Sequence, residues 1–272
     1  MAAPVRVTKP DVSRREVDDA FDQDVPAAVV CASCGDADCQ GCANERSKSG
    51  IVAIVAWERP GSAFNRMWST ARSATKEAEL FFGTLPDGPL APAIRFAVLS
   101  ELLASAAMLA FCVPFAAALA PLWLKHVVLD PGIRFTSLRI VALAVPALAA
   151  LLVFAHAAHG LALDVGAKRA GARSAKRRAL RFGLYASGWD VVVGPFGAVV
   201  LGVAEGAWAG LGVTQLAVGL PTRSARAFLR GTYGLAGAGA ATALRTSHVA
   251  AVVATTLGAI LILAGIVAIA LI

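Results

Sequence analysis

The chain has 272 residues, 57% of them hydrophobic before its 25 glycines are counted and only 16% charged, where soluble domains hold about 45–50% apolar and about 25% charged residues. Its 25 Lys+Arg and 18 Asp+Glu leave a formal charge of +7. These values exclude a disordered chain, a collagen-like chain and a disulfide scaffold, and they argue against a soluble enzyme. They fit an integral membrane protein with a polar extension.

The charges divide the chain near residue 95. Residues 1–95 carry 11 Lys+Arg and 13 Asp+Glu, whereas residues 96–272 carry 14 and 5. Residues 1–30 alternate charges (Arg6, Lys9, Asp11, Arg14, Arg15, Glu16) without the apolar stretch of a secretory signal. This segment is expected to be disordered and cytoplasmic.

Residues 31–45 hold the sharpest motif. Cys31, Cys34, Cys39 and Cys42 form two Cys-x-x-Cys pairs within twelve residues, and two such turns can direct four thiolates at one tetrahedral zinc ion. The four-residue gap between the pairs is shorter than in most zinc sites, which makes the predicted site a small structural knuckle. Cys34, Cys39 and Cys42 also match the spacing of a plant-type iron–sulfur trio, and uncoordinated thiols are the third alternative. A cytoplasmic position disfavours structural disulfides.

Residues 46–90 read as a linker containing an amphipathic helix. Phe64, Met67, Trp68, Ala71, Ala74, Ala78, Phe81 and Phe82 recur at helical spacing, with Arg66, Arg72, Lys76 and Glu77 on other faces. The expectation is a helix along the headgroup boundary, with packing on the bundle as the alternative.

A bilayer core of roughly 30 Å takes about 20 apolar residues per helix. Candidate spans in residues 91–272 are 96–124, 140–163, 182–195, 196–220 and 248–272. Five is the expected count, with four or six open because 182–195 is short and 231–243 reads as interfacial or re-entrant. Cys112 is an apolar filler in the first span. Seven basic residues fall within 168–181, and Arg223, Arg226, Arg230 and Arg245 follow the fourth span. The positive-inside rule accounts for them, and neither a nucleic-acid motif nor a phosphate-binding loop is present. The N-terminus and both basic loops are therefore expected in the cytoplasm and Ile272 on the opposite side. Arginine outnumbers lysine 19 to 6, which suggests a GC-rich bacterial source and an inner-membrane location.

The stretches 64–70 (Phe-Asn-Arg-Met-Trp-Ser-Thr) and 81–99 (beginning Phe-Phe-Gly-Thr-Leu-Pro-Asp-Gly-Pro) resemble the entry to Yip-type membrane domains, the Ypt/Rab-interacting family and its bacterial relatives. Tyr185, Pro195 and Gly197 match that family's short third span and its Pro-containing turn, and 222–227 matches its polar link before the last span. The resemblance covers about residues 59–272. It implies an all-α, five-span bundle with a cytoplasmic N-terminus and no catalytic residues. The length between Arg230 and Arg245 departs from the family pattern.

Within the spans, Glu101, His156, His159, Asp190 and Glu205 are costly in lipid and are candidates for an ion or proton path; hydrogen bonding to neighbouring helices is the simpler alternative. Ala198, Gly202, Gly206 and Gly210 repeat every four residues and form a groove for a close helix neighbour, within the bundle or in a homo-oligomer. No His-Glu-x-x-His or Gly-x-Ser-x-Gly motif occurs. The function expected is a non-enzymatic membrane scaffold or interaction protein; the alternative is a small transporter using Glu101, Asp190 and Glu205. For the cysteine cluster, elemental analysis of residues 1–90 under reducing conditions should find about one zinc per chain. Iron with visible absorption would indicate the cluster, and no metal would refute the site.

Overall fold

The computed structural model describes residues 55–270, and the four cysteines at 31–42 lie outside the described residues. Among the described residues the secondary structure is helical throughout. After a single 3-10 turn at Ala56–Glu58 come α1 (Ala63–Lys76), α2 (Ala78–Gly83), α3 (Leu90–Leu119), α4 (Pro121–Leu129) and α5 (Pro131–Arg169). They are followed by α6 (Lys176–Ala186), α7 (Gly188–Val193), α8 (Pro195–Glu205), α9 (Ala207–Ala217), α10 (Leu220–Tyr233) and α11 (Gly237–Ala270).

Among the described residues, three helices are long and apolar enough to cross a membrane: Leu90–Leu119, Pro131–Arg169 and Gly237–Gly265. The pair formed by Lys176–Val193 and Pro195–Glu205 also qualifies, but it is bent by 58°. Local chemistry moves the boundaries away from the hydropathy pattern. Helix α3 starts at Leu90 because Pro92 suits a first turn, and it stops before Ala120 because a residue preceding proline disfavours helical ψ. Pro114 remains inside it, as transmembrane helices tolerate. Helix α5 starts nine residues before the expected span: Asp130 caps it, accepting from the Gly132 N–H at 2.8 Å and the Ile133 N–H at 3.3 Å, and Pro131 occupies the first turn.

The stretch 196–220, read above as one span, is two helices. Gly206 has φ +96° and ψ 162° between α8 and α9, a conformation open essentially to glycine. Helix α9 folds back on α8, and each is about 16 Å long, half a bilayer core. The small-residue stripe closes this hairpin: a Cβ on Gly210 would lie 2.7 Å from the Ala198 carbonyl oxygen and 3.2 Å from Gly202 Cα. Gly206 is required by its backbone, since no heavy atom lies within 4 Å of where its Cβ would be.

The amphipathic helices share one core with the head-side ends of α3, α5 and α11. Met67, Ala71, Ala74, Ala78 and Phe82 are buried there, so the apolar face of α1–α2 packs on the bundle. A fragment meant to isolate the cysteines therefore has to end before Val55, which is itself buried. Phe182 stacks on Phe228 at 4.6 Å and meets Phe82 edge-on at 4.7 Å, while Trp189 approaches Phe82 at 5.8 Å. Each such side chain removed from water contributes about 1.5–3 kcal/mol. The indole N–H groups are satisfied as well, Trp57 donating to Pro92 O at 2.8 Å and Trp189 to Ala74 O at 2.9 Å.

Charged groups bind this head together. Arg181 has no exposed surface; its Nη1 donates to Pro89 O at 2.7 Å and its Nη2 lies 2.8 Å from Glu58 Oε1. Tyr185 donates its hydroxyl to the same carboxylate oxygen at 2.5 Å. Gly88 leaves room for the guanidinium, because a Cβ there would be 2.6 Å from Nη1. Arg177 binds Asp87 through two hydrogen bonds, 2.9 and 2.7 Å. Asp164, also without exposed surface, accepts from Ser174 Oγ at 2.9 Å, Ala175 N at 2.7 Å and Tyr233 OH at 2.8 Å, fastening the 170–175 loop and the end of α10 to α5. Burial and the Asp164 carboxylate push the Tyr233 phenol above its ordinary value, so it remains a donor.

Replacing Arg181 by Met should lower stability in detergent by about 3 kcal/mol or more, because it leaves a partly buried carboxylate without its counter-charge. Arg177→Met, at the more exposed pair, should cost under about 1 kcal/mol. Thermal melts of both variants test this ordering. The hydrogen bond from Arg177 holds the Asp87 carboxyl below its ordinary 3.8, and a depressed carboxyl contributes stability above its unfolded value that is lost as the pH falls through its folded one. The stability advantage of wild type over Asp87→Asn should therefore be constant above pH 3.8 and vanish at lower pH; melts between pH 2 and pH 7 measure it.

Candidate functional site

Of the five ionisable residues assigned to the spans from sequence, three converge. Glu101 lies on α3, His156 on α5 and Asp190 on α7. His156 Nε2 is 3.3 Å from Glu101 Oε1 and 2.9 Å from Asp190 Oδ2. Ligand atoms from all three fall within 4.8 Å of one another.

Backbone contact between α5 and α6 creates this arrangement. A Cβ on Gly160 would lie 2.2 Å from Ala179 O, and one on Gly183 would lie 2.1 Å from the His156 carbonyl oxygen. Only two glycines facing each other allow that approach. Ser187 donates to Leu184 O at 2.8 Å at the junction of α6 and α7, and two residues later Trp189 sets its indole edge-on to the His156 ring at 6.0 Å. Asp190 follows directly and reaches the imidazole. On α3, Ala97, Ser100, Glu101, Ala104 and Ser105 form one buried face, at the spacing of helical neighbours.

Exposure grades across the site. The Glu101 side chain is fully enclosed, His156 is 15% exposed and Asp190 is 42% exposed. Neither Glu101 oxygen has a hydrogen-bond partner, although Oε1 faces the imidazole. Two carboxylates and one imidazole can share a proton or ligate a cation.

The other two ionisable residues are elsewhere. His159 is one turn along α5 from His156, yet it faces α11: Ser247 Oγ lies 2.5 Å from its Nδ1 and donates to its carbonyl oxygen at 2.7 Å. With that hydroxyl proton committed, Nδ1 is assigned as the protonated nitrogen. The buried Nε2 is then an acceptor, and it has no donor among the described residues. His248 stacks on the ring at 5.8 Å. Glu205 lies on the surface, 3.2 Å from Arg72 Nη2 and 3.4 Å from Lys76 Nζ. Cys112 is a free, exposed thiol on α3.

Arg181 and Asp164 escaped the sequence reading as structural centres, because both were counted among the charges of a basic loop. The signal that could have singled them out is position: Arg181 sits beside the aromatic run at 182–189, and Asp164 is the one acid among seven bases. Compared with known proteins, the chain matches no family model, no curated protein and no solved structure.

Proposed function

We propose that the chain is a polytopic, non-enzymatic membrane scaffold or interaction protein, built on a plan similar to Yip-type domains, in a bacterial inner membrane. The observation that carries this reading is the shared core. The ends of α3, α5 and α11 and the amphipathic α1, α2, α6 and α10 pack as one body. Its surface presents Lys168, Arg169, Arg173, Lys176, Arg223, Arg226 and Arg230. A rigid basic platform on apolar helices suits the docking of acidic partners at a cytoplasmic membrane face. In this reading the N-terminal segment is cytoplasmic, and Cys31, Cys34, Cys39 and Cys42 would hold a structural zinc ion.

The convergence of Glu101, His156 and Asp190 favours a second reading, cation transport, from which Glu205 drops out. Reconstitution separates the two. Liposomes carrying the full chain should show no proton or divalent-cation flux above empty liposomes; a flux abolished by Glu101→Gln would replace the scaffold reading by the transporter.

Threading has its own test. The α8–α9 hairpin returns the chain to the side it left, so three crossings and five both place residue 174 and Ile272 on opposite sides. Reporter fusions at these two positions should light up in opposite compartments, with residue 174 cytoplasmic. Signals from the same compartment would mean that the bent pair makes a fourth crossing.

A further inference from the structure

We propose that Glu101, His156 and Asp190 form a divalent-cation site, taking Mn²⁺ or a similar first-row ion that staples α3, α5 and α7 together. Spacing is the first argument. A metal–ligand distance of about 2.0–2.2 Å puts adjacent ligands of an octahedral ion, the geometry Mn²⁺ takes, roughly 2.8–3.1 Å apart. His156 Nε2 and Asp190 Oδ2 already stand 2.9 Å apart, and Glu101 Oε1 at 3.3 Å has to close only by a few tenths of an ångström.

The second argument is independent of spacing. Glu101 has no exposed surface; its Oε1 meets only the His156 imidazole, at 3.3 Å, and its Oε2 has no hydrogen-bond partner among the described residues. A buried carboxylate without donors is costly, and a bound cation is one of the few ways to meet that cost. Charge is compatible with this. Two carboxylates and a neutral imidazole total −2, which a divalent ion cancels; protons on the imidazole and on one carboxyl reach the same balance, and the titration below separates the two. The buried guanidinium of Arg181 is paired with Glu58 and not with this cluster.

Ligand type and access narrow the ion. Two carboxylate oxygens and one imidazole nitrogen suit Mn²⁺, Fe²⁺ or Zn²⁺ and not thiophilic ions. The partly exposed Asp190 provides the entry side and leaves room for water as a further ligand. The assignment does not depend on whether the protein is a scaffold or a transporter.

The test uses the full chain in detergent, stripped with chelator and titrated with Mn²⁺, with free Mn²⁺ followed by electron paramagnetic resonance. Manganese binds thiolates poorly, so a companion chain with Cys31, Cys34, Cys39 and Cys42 all changed to Ser should retain the site. The expected result is about one Mn²⁺ per chain, lost in Glu101→Gln and weakened at least about tenfold in Asp190→Asn. Because Glu101→Gln touches an enclosed position, Asp190→Asn serves as the folded control, checked by an unchanged elution volume. Wild-type binding no greater than that of Glu101→Gln overturns the proposal, as does a folded Asp190→Asn that binds like wild type. Loss of Mn²⁺ from the cysteine-free chain overturns it as well, by placing the ion at the tail.

Discussion

Arg181 carries a full charge without any exposed surface, and the head is arranged around meeting that charge. Glu58, from the turn before α1, supplies the counter-ion; Pro89 O, at the start of α3, supplies an acceptor; Tyr185, one turn along α6, donates to the same carboxylate. Three segments far apart in sequence are thus held by one guanidinium, whose planar fork suits such multiple recognition. The aromatic packing of Phe82, Phe182, Phe228 and Trp189 supplies non-directional burial energy. The arginine specifies which segment lies against which.

A division of labour among polar groups follows. Asp164 is saturated by neighbours and His159 is held through Nδ1 by Ser247, so both serve packing, whereas Glu205 bridges to α1 at the surface. Glu101 differs from all of these in facing only an imidazole and a second carboxylate. The imidazole it faces is placed by the glycine contact between α5 and α6, so the chemistry of the site is coupled directly to helix packing.

Much of this was legible in the sequence. The apolar runs located the three long helices, since hydropathy reports composition and the bilayer demands composition. The amphipathic spacing of Met67, Ala71, Ala74 and Phe82 identified a helix, but a periodic face does not say whether lipid headgroups or protein covers it, and here protein does. Glu101, His156 and Asp190 were each conspicuous as ions in apolar surroundings, yet their meeting depends on helix rotations set by Gly160 and Gly183, which no one-dimensional pattern encodes. The break at Gly206 was hidden for a related reason. A four-residue repeat of small side chains is equally compatible with a straight helix and with a hairpin closing on itself, and only the positive φ separates them.

The position of Glu101 along α3 has an electrical consequence. It lies eighteen residues before Leu119, the helix end, so about 27 Å of helix separates it from the far end, nearly the full hydrocarbon thickness. A charge crossing the whole membrane gains about 2.3 kcal/mol per 100 mV. One that travels from the basic side to Glu101 traverses only about a tenth of that field, roughly 0.2 kcal/mol per charge at the same voltage. With Leu119 at the far edge of the hydrocarbon, occupancy of the proposed centre would be nearly indifferent to membrane potential and would follow the composition of the basic-side solution instead.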